Sequence, residues 1–195
     1  MQDRRDWAAR DSDEVWSQET SCRLLAQEGS GTGGGVLHCI TEPRMHLIRA
    51  REATGSGLME TGTVLQLPSE ESEGEVSQIL GTTRHRELPT SAQNSLHEVL
   101  SDMVSANPKP LLDFYNKAGP VSLKFHAFQL LPGIGPSKAQ QMVKSRKREG
   151  WMTIEEVDEA CAIESLELFV GRLVDELKDP KSVPSLIDNV VRAGA

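Results

Sequence analysis

Between Val36 and Leu88 the apolar residues come in short runs of Val, Ile and Leu, broken by Gly, Pro and acidic clusters, which is the spacing of strands. Four strands are predicted: Val36 to Ile40, Met45 to Ala50, Gly62 to Leu67 and Val76 to Thr83, with an acidic turn at Ser69 to Glu75. Short strands at such intervals suggest a small antiparallel barrel. After Pro89 the period becomes helical. Thr90 and Gln93 set up a capping box, and Leu96, Val99, Leu100, Met103 and Val104 follow on one face. Asn107-Pro108 ends that helix. A second, Pro110 to Ala118, packs through Leu111, Leu112, Phe114 and Tyr115 and stops at Gly119-Pro120. Ser122 is expected to cap a third helix to about Gln129, and a fourth runs from Pro136 to about Glu149. Ile154 to Ala160 and Ile163 to Lys178 read as two more.

The fold class expected is therefore α+β, a small N-terminal antiparallel β-barrel over residues 36–88 followed by an all-helical domain over 89–181. Residues 1–35 lack either period. Their charged residues and the Gly-rich run Gly29 to Gly35 read as a disordered tail and linker, with a short docking helix formed from Trp7, Trp16 and the Cys22 to Ala26 stretch as the alternative. Residues 182–195 read as a C-terminal tail. No internal repeat is evident; a second, degenerate copy of the turn at Gly133 to Gly135, sought around Ala160 to Ser165, lacks a Gly-x-Gly.

Composition narrows the function. The 195 residues can bury one good core or two small ones, and a formal net charge of -8 excludes bulk electrostatic coating of nucleic acid. Any nucleic-acid site must be a local patch. Cys22, Cys39 and Cys161 are well separated, with no Cys-x-x-Cys, and His38 beside Cys39 is too little for zinc, so they read as free thiols in a reducing cytoplasm. The apolar runs fall far short of the roughly 20 residues that span a bilayer, so a soluble protein with no membrane partner is expected.

One decapeptide carries the chemistry. In Leu130 to Ala139, Leu130, Leu131 and Ile134 are buried-type positions, Gly133 and Gly135 permit a turn with positive φ, and Pro136 suits the first turn of a helix. This is a helix-hairpin-helix signature, whose turn aims backbone N–H groups and the positive end of the second helix at an anion outside the protein. Charge supports it. Pro120 to Gly150 holds six basic residues (Lys124, Lys138, Lys144, Arg146, Lys147, Arg148) against Glu149, whereas Trp151 to Lys181 holds nine acids and three bases. Projected as a helix, Ala139, Met142 and Val143 share one face and Lys144, Lys147 and Arg148 the opposite one, with Lys138 at the rim. Arg146 falls on the apolar stripe, so it snorkels or lies beyond the helix end. A basic helix face alone is commonly just solvated and a lone Gly-Ile-Gly is commonly a simple turn; their adjacency points to phosphate.

Gly133-Ile134-Gly135-Pro136-Ser137 resembles the helix-hairpin-helix motifs of DNA repair polymerases and related enzymes. That resemblance implies that the amides of Gly133, Gly135 and Lys138 face a phosphate, and that the carbonyls of Gln129, Leu131 and Ile134 are placed for a monovalent cation. A longer stretch is similar to an archaeal domain-of-unknown-function family (number six-five-five): Phe114 to Pro120, His126, Leu130 to Gly135, Arg146-Lys147-Arg148, Trp151 and Ile154 to Val157. Less tightly, the likeness reaches back to Met45 and covers roughly three-quarters of the chain. The resemblance implies an RNA-binding protein with an OB-like barrel ahead of a helix-hairpin-helix domain. Between Cys39 and Met45 this chain lacks the long connection that members carry after their first strand, which leaves open whether the barrel is complete. Trp151 and Gly150 stand where the family has Phe and Pro.

His126 reads as a packing or hydrogen-bonding residue ahead of a base or phosphate contact. Arg84, His85 and Arg86 form a smaller basic cluster on the last predicted strand, but residues 36–88 contain no Phe, Tyr or Trp for stacking, so the barrel is at most a supporting, backbone-tracking element. No nucleophile and base, carboxylate pair or metal cluster appears at a recognisable spacing, and the Gly29 to Gly35 run lacks the ending of a phosphate loop. The expectation is a monomeric, non-enzymatic nucleic-acid-binding protein without cofactor, RNA ahead of DNA. Gly133, Ile134, Gly135, Ser137, Lys138, Lys144, Lys147, Arg148, Arg84 and Arg86 are its contacts. The alternative is a protein-interaction module of a ribonucleoprotein assembly.

Overall fold

Five antiparallel strands make one sheet: β1 (Ser21–Glu28), β2 (Val36–Glu42), β3 (Leu47–Glu52), β4 (Val64–Gln66) and β5 (Val76–Thr82), in the order β4-β1-β2-β3-β5. The computed structural model describes residues 19–29, 34–53, 57–68 and 74–194. Trp7, Trp16 and most of the acidic turn at Ser69 to Glu75 lie outside the described residues. The chain divides into a sheet unit reaching to Val99 and a helical unit, Leu100–Gly194, with helix α1 (Thr90–Ala106) passing from one to the other.

Strand register puts one set of alternate side chains together. Cys22 pairs with Leu65, Leu24 with Cys39, and Cys39 with Ile48, so these residues, with Leu37, Ala50, Leu67 and Val76, form the apolar core. The opposite face of β1 is covered as well: the Leu25 carbonyl accepts the Ser95 hydroxyl of α1, and Ala92, Leu96 and Val99 are buried. The sheet is a partial barrel. Among the described residues its edges β4 and β5 are not paired, although they converge at one end, where the Gln66 amide donates to the Glu75 carboxylate at 3.3 Å.

Residues 21–28, expected in a disordered tail or a docking helix, are instead an interior strand of the sheet, with β2 on one side and β4 on the other. The period was hidden by a bulge: Leu24 pairs with Cys39 and Ala26 with His38, leaving Leu25 as an extra residue and two leucines in succession.

The helical unit continues with α2 (Lys109–Lys117), β6 (Pro120–Ser122), β7 (Phe125–His126), a 3-10 turn (Ala127–Leu130), α3 (Pro136–Ser145), α4 (Ile154–Cys161) and α5 (Ser165–Lys178). Its core is aromatic. The rings of Tyr115, Phe128 and Phe169 lie 5.3 to 5.9 Å from that of Phe114. The domain is not all-helical, because a two-stranded hairpin occupies the place of the helix expected from Ser122. Ser122 pairs with Phe125 across the hairpin, and its hydroxyl accepts the Lys124 amide of the turn instead of capping a helix.

Residues 182–194 do not form a tail. Leu186, Ile187 and Val191 are buried at a π-helical turn (Ile187–Val191) that packs beside α2 and is hydrogen-bonded to α5. The buried Glu176 carboxylate holds it, accepting the amides of Leu186 (2.7 Å) and Ile187 (3.0 Å) and the Ser185 hydroxyl (2.8 Å) while paired with Arg172 (2.8 Å).

Candidate functional site

The Leu131–Gly135 turn is seated by what precedes it. Phe128 is fully buried, and the 3-10 turn is capped by His126, whose Nδ1 accepts the Phe128 amide (3.1 Å) while the Gln129 side chain accepts the His126 amide (3.0 Å). The element leading into the turn is thus a single 3-10 turn and not an α-helix. His126 is an internal cap, the role favoured for it from sequence. Burial, and then the nearby Arg146 charge, hold its imidazole below the usual histidine range.

The two glycines differ. Gly133 has φ of +73°, the left-handed region where a side chain is strained. Gly135 has φ of -83° and ψ of 174°, an extended geometry open to any residue, so the positive φ expected at both holds only for Gly133. A Cβ at either would meet nothing within 4 Å. Neither backbone nor packing asks for glycine at position 135.

Pro136 opens α3 as expected. Gly135 supplies no side-chain cap, and the first turn carries no acid. The Ser137 and Lys138 amides lie in that turn, which has no intrahelical acceptor to offer them. Gly133, Gly135 and Ser137 are exposed, and Ile134 is half-buried with its amide donating to the Leu131 carbonyl at 3.2 Å. Of the three carbonyls implied for a monovalent cation, that of Leu131 is therefore partly engaged, with one lone pair remaining.

The basic residues separate into two groups. The Lys138 ammonium donates to the Cys161 and Ala162 carbonyls at the C-terminal end of α4, so this residue offers the site its amide rather than its charge. Arg146 donates to the Ala118 carbonyl (2.9 Å) and lies 5.1 Å over the Phe128 ring. It is a brace between segments. Turned back this way it ends α3 at Ser145, so Lys147 and Arg148 are not on the helix face projected for them but in the exposed loop that follows. Gly150 closes that loop, its amide donating to the Lys147 carbonyl (3.1 Å), and Asn116 clamps the next residue by accepting the Trp151 amide and donating to its carbonyl, both at 2.8 Å.

Lys144 is exposed in the last turn of α3, about 13 Å along the axis from Gly135 at 1.5 Å per residue. The turn and the exposed cations are therefore separate along α3. Arg84 and Arg86 belong to the sheet unit, where they lie beyond β5 at a 3-10 turn (His85–Glu87) rather than on the strand. Arg86 faces Glu87 at 3.9 Å. The bracing by Arg146 and Asn116 was not foreseen, since their partners lie 28 and 35 residues away. Among the described residues no three His, Cys, Asp or Glu side chains group as metal ligands, and no helix is long and apolar enough to cross a membrane.

Comparison with known proteins adds a family and a fold. The family model for the protein of unknown function DUF655 matches residues 34–184. The crystal structure of Af1531 from Archaeoglobus fulgidus, described as DUF655, is similar with a TM-score of 0.78 and 19% sequence identity, over 87% of this chain and 99% of that one. Identity that low speaks for the fold alone. No curated protein matches the chain.

Proposed function

The chain belongs to the DUF655 family of proteins of unknown function, and from the geometry of its Leu131–Gly135 turn we propose that it is a non-enzymatic nucleic-acid-binding protein that grips the sugar-phosphate backbone through a helix-hairpin-helix. Gly135 carries this reading. A glycine that neither φ nor packing requires, ahead of a helix whose first-turn amides have no cap, leaves room for an anion directly against the backbone. The amides of Gly133, Gly135 and Lys138 face the phosphate, and Lys144, Lys147 and Arg148 follow the strand onward. Such contacts position a nucleic acid and do not read its sequence. The preference for RNA over DNA rests on the family resemblance.

The test is a titration of structured RNA, single strands and duplex DNA at several salt concentrations. With about three phosphates neutralised, log K should fall against log salt with a slope of about -2 to -3, and removing the charges of Lys144, Lys147 and Arg148 together should flatten it. Absence of salt-dependent affinity for any of the three would refute the reading and favour a module that docks on a ribonucleoprotein assembly.

A further inference from the structure

We propose that the tip of the β6–β7 hairpin is a second contact for the same nucleic acid, a wedge in which Leu123 enters beside an unpaired base of a bulged or looped RNA; this rests on the backbone-binding reading above. Leu123 is 107% exposed and Val121 49%, in a unit whose other large apolar side chains are mostly buried. A single exposed leucine is ordinary. This one stands at the tip of a hairpin whose base is pinned.

The arm's base is fixed three times: Pro120 pairs with His126, the Ala127 amide donates to the Gly119 carbonyl (2.9 Å), and Arg146 holds the Ala118 carbonyl (2.9 Å). Its tip is tightened by the Ser122 hydroxyl, which accepts the Lys124 amide at 3.4 Å. At about 3.3 Å per residue, Leu123 stands about 7 to 10 Å beyond the pinned base. Strand β7 then runs directly into the 3-10 turn that seats Leu131–Gly135, so wedge and turn are carried on one continuous braced segment.

Charge decides the partner. Lys124 neighbours Leu123 at the exposed tip, and from Pro120 to Arg148 the chain has no acid. An apolar protein groove would take the leucine but offer nothing to the Lys124 ammonium beside it. A nucleic acid offers a phosphate for Lys124 and a base face for Leu123 within one nucleotide. Apolar side chains that part bases pay an unstacking cost, which is least where a base is already unpaired. Bulges and loops of RNA supply such bases.

The experiment uses the full chain, a duplex RNA with one 2-aminopurine bulge and the same duplex without it. The wild type should bind the bulged RNA about tenfold more tightly, a difference of about 1.4 kcal/mol, with a rise in 2-aminopurine fluorescence as the base leaves the stack. Leu123→Ser should bring the bulged RNA down to the affinity of the plain duplex and abolish the rise, while Leu123→Met keeps both. Leu123→Ser matching the wild type in preference and fluorescence would overturn the wedge. If binding still depends on salt and on Gly135 in that case, the backbone grip stands and the wedge alone falls. If neither RNA is bound, both fall.

Discussion

Two helices of the same unit begin in opposite ways. At α4 the Thr153 hydroxyl accepts the Glu156 amide (3.3 Å), the Glu156 carboxylate accepts the Met152 amide (2.6 Å), and Glu155 and Glu156 set negative charge against the positive end of the helix. At α3 a glycine takes the cap position, and the first turn has no acid. The backbone at Gly135 is the extended geometry that Ser or Asp caps adopt, so a polar cap would fit and would recover a few tenths of a kcal/mol. The chain satisfies its amides at α4 and leaves them open at α3. On the function proposed above, what is left open is the phosphate seat.

A third helix start sharpens the contrast, because there a buried carboxylate does the capping. Glu176→Ala should produce the largest effect, about 3 to 5 kcal/mol lost in urea denaturation, since it strands Arg172 and the Leu186 and Ile187 amides in a buried setting. A loss below about 1 kcal/mol would show that water replaces these contacts. Next in size is a matched pair. Gly135→Val adds a side chain where nothing stands within 4 Å, so the protein should stay folded, losing about 1 kcal/mol for the poorer cap, while nucleic-acid affinity drops at least about tenfold. Thr153→Ala should cost a similar amount, about 1 kcal/mol of stability, with affinity unchanged. Wild-type binding by a folded Gly135→Val protein would strip the contrast between the two helices of functional meaning.

Local signals were legible in the sequence where local rules decide. Pro136 marks the start of α3, the spacing of Leu96, Val99, Leu100, Met103 and Val104 gives the buried face of α1, and strands β2, β3 and β5 begin or end within two residues of their expected limits. Tertiary partners decided the rest. Lys138 and Arg146 look alike in a list of basic residues, yet the carbonyls of Cys161, Ala162 and Ala118 draw them inward while Lys147 and Arg148 stay exposed. Strand β1 was lost to its bulge and to the Gly-rich run beside it. For the site itself, sequence located the turn, but the difference between Gly133 and Gly135 exists only in their φ angles and surroundings.

The smallest expected effect is a pH dependence at the cap of the 3-10 turn. His126 Nδ1 accepts the Phe128 amide, so it must be unprotonated for the cap to hold. Burial first, then the Arg146 charge, hold the folded pKa below the unfolded value of about 6.5. The unfolded chain therefore binds the proton more readily, so the contribution is full above about pH 6.5 and is lost as pH falls through the lower, folded value. Thermal denaturation from pH 8 to pH 5 should show the wild type losing more of its Tm than His126→Asn, whose Oδ1 can accept the same amide without titrating. Parallel curves would assign the titration to other groups. A steeper wild-type curve would show that the turn preceding α3 depends on an imidazole the solvent can protonate.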